Sequence, residues 1–276
     1  MAVVVGGTLR KPHRVPSFRA TTGEGRDNRG MRVVVLTGAG ISAESGIPTF
    51  RGPDGLWEGH RVDDVATPEG FARDPDRVQR FYDQRRRALA HVEPNAAHRA
   101  LARLEAALGS DLLVVTQNVD DLHERAGSRR VVHMHGELRR ALCRACGERP
   151  VWHDDLAWSP PDSPPHCPAC GAGALRPDVV WFGEIPYELD LIEEAVIACD
   201  VFAAIGTSGE VYPAAGFAAL AAAVGARTVE LNLAPTRAVT ASGRAAFAEV
   251  GEGPASVTVP AWVDALVGEA AAPQAP

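Results

Sequence analysis

The sequence predicts an α/β fold, a parallel sheet with helices on both faces into which a small cysteine-bearing module is inserted. Three observations lead there. Short, largely apolar runs (Val33 to Leu36, Leu112 to Val115, Val131 to Val132, Val201 to Ile205 and Thr228 to Leu231) are mostly separated by stretches of helical periodicity, the pattern of strands buried on both faces. Each run ends in glycine or polar residues, as strands of an open parallel sheet do where they face a ligand. Between about 137 and 176 the alternation gives way to Pro, Gly and Cys.

Taken in order, residues 1–30 mix Gly, Arg, Thr and Pro without periodicity and are expected to form a disordered leader. The first apolar run drops into Gly38-Ala39-Gly40, and Ala43 completes a G-x-G-x-x-A pattern. In such a loop the glycines let backbone N–H groups approach a pyrophosphate, and the small third residue lets a helix pack closely. Asp74 and Pro75 make an N-cap and first-turn pair, and the helix expected from there to about Ala90 sets Val78, Phe81, Tyr82, Arg85 and Leu89 at three- and four-residue spacings. A second helix is expected from about Pro94 to Leu108, with Ala97, Leu101, Leu104 and Leu108 as its stripe and Gly109 as its stop. The later runs empty into Thr116-Gln117-Asn118-Val119-Asp120, His133-Met134-His135-Gly136, Gly206-Thr207-Ser208 and Asn232, which are expected to converge with the Gly38 loop. The expected division is therefore a main domain of 31–136 and 177–268, an inserted module of 137–176 whose lobe extends to about 53–92, and a loose tail of 269–276.

With 46% apolar residues the chain can build a sizeable core, and its formal charge of -7 argues against nucleic acid as the main ligand. The longest apolar stretch, Ala214 to Ala226, is broken by glycines and too short to span a bilayer, so no membrane anchor is expected. A monomer is the working expectation. Four of the five cysteines form two C-x-x-C pairs, Cys143/Cys146 and Cys167/Cys170, twenty residues apart. That spacing matches a four-thiolate zinc site, closed to water and hence structural, and argues against redox C-x-x-C chemistry and for a reducing, cytoplasmic location. Cys199 lies in an apolar context and reads as a packing residue.

The stretch from Leu36 to Gly52, LTGAGISAESGIPTFRG, strongly resembles the sirtuin family of NAD-dependent protein deacylases, and the likeness extends from about Arg32 to about Leu266. It implies a Rossmann-like NAD-binding domain, a zinc-bearing lobe and an acyl-lysine channel between them. In that family the acyl oxygen of a modified lysine attacks the anomeric carbon of the nicotinamide ribose, and a general base then helps a ribose hydroxyl attack the resulting imidate. The products are nicotinamide, O-acyl-ADP-ribose and free lysine. The segment His135 to Leu138 matches the motif of the base, which makes His135 the base; His133 is expected to have a structural, hydrogen-bonded role. Gln117, Asn118 and Asp120 match the nicotinamide motif, Phe50 and Arg51 a mobile loop over the cofactor, Gly206, Thr207 and Ser208 a phosphate and ribose turn, and Asn232 the adenosine-ribose contact. Unlike in a simple Rossmann dehydrogenase, no acidic residue ends a second strand about twenty positions after the glycines, so the resemblance puts the ribose contact later.

The resemblance also reaches the substrate. Val180, Phe182 and Gly183, with Glu210, Val211 and Tyr212, match segments that clamp a peptide backbone as an added strand, which implies modest side-chain selectivity. Tyr82-x-x-Arg85 and Ala66 match the class acting on acidic acyl groups such as succinyl or malonyl, because a guanidinium can hold a carboxylate bidentately and a small residue leaves room for the longer chain. Without the resemblance, Arg85-Arg86-Arg87 would be a solvated helix face. Mono-ADP-ribosyl transfer is the alternative chemistry, and non-catalytic NAD or ADP-ribose binding the alternative class.

Overall fold

The computed structural model describes residues 30–49, 56–57, 59–157, 164–236 and 238–271. The chain runs β1 (Val33–Thr37), α1 (Gly40–Ala43), a two-residue hairpin β2 (Leu56–Trp57) and β3 (His60–Arg61), then α2 (Val62–Val65), α3 (Pro68–Arg73), α4 (Pro75–Ala88) and α5 (Ala96–Leu108). After these come β4 (Leu112–Thr116), α6 (Leu122–Ala126), β5 (Val131–His133), β6 (Gly136–Cys143), β7 (Leu175–Val179), α7 (Leu189–Ala198) and β8 (Val201–Ile205). The chain closes with α8 (Phe217–Ala223), β9 (Arg227–Asn232), β10 (Glu249–Glu252) and α9 (Ala255–Ala271).

Six strands form one parallel sheet in the order β10-β9-β8-β1-β4-β5. Alternation along each strand divides the core. Val33 and Val35 join the cluster beneath α5 and α9, with Leu101, Leu104, Val259 and Val263. Val34 and Leu36 join the opposite cluster with Ile192, Val196, Phe217 and Ala221 of α7 and α8. The expected helices on both faces are therefore present.

The predicted α4 begins as its sequence dictates, with Asp74 Oδ1 accepting from Arg77 N at 3.1 Å, but it ends at Ala88 in a 3-10 turn over Leu89–His91. The last helix runs to Ala271, three residues into the stretch expected to be loose. Outside the sheet, β6 and β7 pair antiparallel. Their residues Leu138 and Val179 pack with Val65, Phe71, Val78, Phe81 and Tyr82, so α2, α3 and α4 share a core with the hairpin that carries the cysteines.

Candidate active site

The floor of the site is made where the ends of β1, β4, β8 and β9 meet. Gly38 N donates to Ile205 O at 2.9 Å and Gly40 N to Gly206 O at 2.8 Å, so the loop after β1 is stitched to the loop after β8. A Cβ on Gly40 would stand 2.7 Å from Gly206 Cα, and one on Gly206, whose φ is +60, would stand 2.4 Å from Ile41 N. These glycines are thus required by backbone meeting backbone, a reason independent of the phosphate approach expected from the sequence. Gln117 Nε2 donates to Thr207 Oγ1 at 3.0 Å, and Asn232 Nδ2 donates to Thr207 O at 2.7 Å, joining three strand ends. Ala39 and Ala43 lie half-buried at the ends of the short α1, while Ser208 is exposed on the turn after Thr207.

Behind this floor lies a buried polar network. Asn95 N donates to His98 Nδ1 at 3.3 Å, which puts the ring proton on Nε2, 3.4 Å from Ser42 Oγ. Ser42 donates to Asp120 Oδ2 at 3.0 Å and accepts from Asn118 Nδ2 at 3.2 Å; Asn118 Nδ2 also reaches Gly38 O at 3.1 Å. Both amide protons of Asn118 are therefore spent on protein, and the side chain offers its Oδ1 as an acceptor. Burial raises the pKa of Asp120, countered by the hydrogen bonds from Leu122 N and Ser42. His123 sits beside His98, ring centroids 5.0 Å apart, with Nε2 3.0 Å from Thr37 Oγ1. Burial holds both histidines neutral, His98 down to about 4. Ser42, His98 and His123 were not singled out as site residues from the sequence. The available signal was a histidine inside the apolar stripe of α5, between Ala97 and Leu101.

His135 lies just beyond β5. Its Nδ1 is 3.2 Å from Gln117 O, and because a carbonyl only accepts, Nδ1 carries the proton and Nε2 is left as the basic nitrogen. Burial lowers its pKa, so the ring is neutral at neutral pH. His133 has acceptors at both nitrogens, Asn118 O at 3.1 Å and Glu124 Oε1 at 2.8 Å. It has the hydrogen-bonded role expected of it.

From His135 the structure leads directly to the second group of predicted residues. Val180 N donates to His135 O at 2.9 Å and Phe182 N to Ala66 O at 3.0 Å, so one short segment spans from the histidine to the small residue. Ala66, Tyr82 and Trp181 are buried in one cluster, and Trp181 Nε1 donates to Tyr82 Oη at 3.0 Å. Arg85 and Arg86 are buried, not solvated as the arginine run alone suggested; α4 turns them inward. Arg85 donates to Phe81 O at 2.7 Å and lies over the Phe81 ring. Phe182 and Tyr212 expose 47% and 79% of their surface, and Gly183 takes φ +89, so these residues present an open rim. Glu210 is exposed and Val211 half-buried beside Tyr212. Phe50 and Arg51 lie outside the described residues.

The four cysteine sulfurs all lie within 4.8 Å of one another, with Cys143 to Cys170 at 3.7 Å and Cys146 to Cys167 at 3.8 Å. Sulfurs about 2.3 Å from a tetrahedral zinc would stand about 3.8 Å apart, so the set fits one closed zinc site. Each pair is wrapped by the same turn: Gly147 N donates to Cys143 O at 2.9 Å and Gly171 N to Cys167 O at 2.8 Å, with both glycines at positive φ. The module is fastened to α4 by charge. Asp83 pairs with the buried Arg86 and accepts from Leu156 N at 2.9 Å and Ala157 N at 2.8 Å, while Arg86 Nε reaches Leu138 O at 2.7 Å.

Comparison with known proteins agrees with this geometry. The Sir2 family profile matches residues 38–213. A relative named NAD-dependent protein deacylase from Salmonella typhimurium (strain LT2) is 56% identical over 236 residues, covering 84% of this chain and 83% of the relative. The structure of a Sir2 homologue mutant with ADP-ribose shares 39% identity at a TM-score of 0.76, covering 90% of this chain and 96% of its own. A Sir2 homologue–NAD complex shares 39% identity at a TM-score of 0.74, covering 88% and 91%.

Proposed function

The chain belongs to the Sir2 family, and on that premise we propose how its residues carry the reaction. It is an NAD-dependent protein deacylase that uses one structural zinc ion. NAD, when bound, supplies an anomeric carbon made electrophilic by its nicotinamide leaving group. Gly38, Gly40, Gly206 and Thr207 line the cofactor's path, and Asn232 anchors the turn at Thr207 and faces the adenosine ribose. Asn118 offers Oδ1 to the nicotinamide amide, with Asp120 fixing Ser42 behind it. Phe50 and Arg51 are assigned to the cofactor on their sequence motif alone.

His135 is the general base, and its hydrogen bond to Gln117 O is the observation on which the assignment rests. With Nδ1 pinned as donor, Nε2 is the proton acceptor for a ribose hydroxyl, and a lowered pKa keeps it unprotonated at neutral pH. The peptide lies along Val180, Phe182, Gly183, Glu210, Val211 and Tyr212, with its acyl-lysine passing between His135 and Ala66.

Tyr82 and Arg85 select acidic acyl groups, succinyl or malonyl, besides acetyl. Their burial on the inward face of α4, in or beside the cluster that holds Ala66, supports this reading. We read the sheet-bearing part as the cofactor domain and the cysteine module with α2 to α4 as the smaller lobe. Every group named comes from one chain, so a monomer suffices. Four cysteines kept as zinc ligands, with Cys199 also outside any disulfide, favour a reducing compartment, and the cytoplasm is the location we propose. Among the described residues no helix is long and apolar enough to cross a membrane.

The test is mass spectrometry of products from NAD with matched acetyl-lysine and succinyl-lysine peptides. Nicotinamide and O-acyl-ADP-ribose are expected from both, with succinyl turnover lost selectively in Arg85→Met. Acetyl-only activity would discard the acidic pocket, and ADP-ribose attached to protein instead would discard deacylation. His135→Ala should lower turnover by about 100-fold or more with zinc content unchanged; unaltered turnover would remove it as the base.

A further inference from the structure

His133 and His135 leave the end of β5 two residues apart and grip successive carbonyls of the loop after β4. His135 Nδ1 takes Gln117 O at 3.2 Å, and His133 Nδ1 takes Asn118 O at 3.1 Å. They differ at the second nitrogen. That of His133 meets the Glu124 carboxylate on α6 at 2.8 Å. A carbonyl and a carboxylate only accept, so His133 makes both bonds only with a proton on each ring nitrogen, and such a ring is a cation.

The groups around it sustain that charge. Glu124 on α6 and Glu137 on β6 favour it, Asp120 on the loop is attracted to it, and His123 on α6, held neutral by burial, sets no charge against it. Burial opposes it, and the pKa nevertheless stands at about 9. What the charge holds is Asn118. The amide N–H of that residue goes to Thr116 Oγ1 at 3.0 Å and its side-chain protons go to Gly38 O and Ser42 Oγ, so His133 fastens the remaining backbone atom, the carbonyl.

We propose that His133 is a positioning residue: its imidazolium, locked between Glu124 and the Asn118 carbonyl, fixes the loop that aims Asn118 at the cofactor, and losing its proton closes the reaction on the alkaline side. A neutral ring keeps one donor. Either Asn118 O or Glu124 then faces a nitrogen lone pair, and the loop is released or repelled at that point. The kinetic part of this inference rests on the deacylase reading.

The experiment is the pH profile of kcat/KM for NAD in peptide deacylation. Wild type should fall away near pH 9. Glu124→Gln removes the counter-charge and should bring that fall down by about one to three pH units. His133→Gln keeps an N–H donor that does not titrate, so its plateau should drop about tenfold and its alkaline limb disappear. Variants that lower the plateau but leave the limb unmoved would overturn the proposal. A second measurement needs no turnover and survives a poorly folding variant: heteronuclear NMR of the wild-type histidine rings at neutral pH. Protons on both nitrogens of His133 support the proposal, and a neutral ring overturns it. Doubly protonated His133 in a protein without NAD-dependent turnover would count against the deacylase reading and leave the charged strut standing.

Discussion

The cofactor floor and the zinc lobe are held together by different physics. The floor is backbone against backbone, with Gly38 and Gly40 interlocked with Gly206 on a sheet whose two faces carry large apolar clusters. Besides the core that α2 to α4 share with the β6/β7 hairpin, the cysteine module of the lobe has only a small apolar cluster, Ala141, Cys143, Leu156, Cys167 and Leu175, and depends on a metal and on buried charge. The difference teaches where each half is vulnerable. Volume breaks the floor, whereas loss of a ligand or a charge breaks the lobe.

Metal removal should sharpen this contrast most. A structural zinc contributes on the order of 10 kcal/mol, so chelation should collapse the lobe and abolish deacylation while circular dichroism still shows the α/β sheet domain. Loss of the whole far-UV signal together with the zinc would deny the two halves separate stability.

Next in size is Asp83→Ala. It strands Arg86 in the interior and frees two backbone N–H groups of the module, and should destabilise by about 3 to 5 kcal/mol in denaturant unfolding. Asp83→Ala and Arg86→Met together should recover part of that loss. If the double variant is no better than the single one, the stranded charge is not the cause.

For the floor, Gly40→Ala places a methyl against Gly206 and should cost about 1 to 3 kcal/mol while weakening NAD binding, read by melting temperature and titration calorimetry. Zinc content should not change.

His98 and His133 set opposite pH limits of comparable size, on the order of 3 kcal/mol each. The pKa of His98 falls in the folded protein from 6.5 to about 4, so its contribution is whole above pH 6.5 and is lost as pH falls toward 4. His133 rises from 6.5 to about 9, so its contribution is whole below pH 6.5 and is lost as pH climbs through 9. Melting temperature across pH should show both flanks. His98→Asn should make the acid flank, which the buried His123 shares, shallower and leave the alkaline flank unchanged.

Much of this was legible in the sequence because it obeys simple periods. Largely apolar runs announced five of the six sheet strands, and paired C-x-x-C turns announced the zinc site. The strand β10 was not legible: Glu249-Val250-Gly251-Glu252 lies exposed at the sheet edge and has no apolar run to betray it. Helix α9 was missed because Pro260 interrupts it and its apolar residues are spread around the axis rather than along one stripe. The polar network behind Asn118 was hidden for a different reason. Ser42, His98 and His123 come from three separate helices, and only the folded chain brings them together. Arg86 was concealed by its neighbours, since a run of three arginines looks solvated until the helix turns two of them, Arg85 and Arg86, inward.

The central place of β1 also bears on how the chain is made. Among the described residues it is the first strand to leave the ribosome, yet it must pair on one side with β4 and on the other with β8, whose first residue comes 168 positions after its own. Until Val201 emerges, one edge of β1 is a row of unpaired backbone groups, and the Gly38 loop has no Gly206 to lock against. Cys170 is synthesised before that moment, so the metal lobe can close while the cofactor floor is still half built. A nascent chain halted between these points would hold zinc, bind no NAD, and expose an open strand to any neighbour able to pair with it.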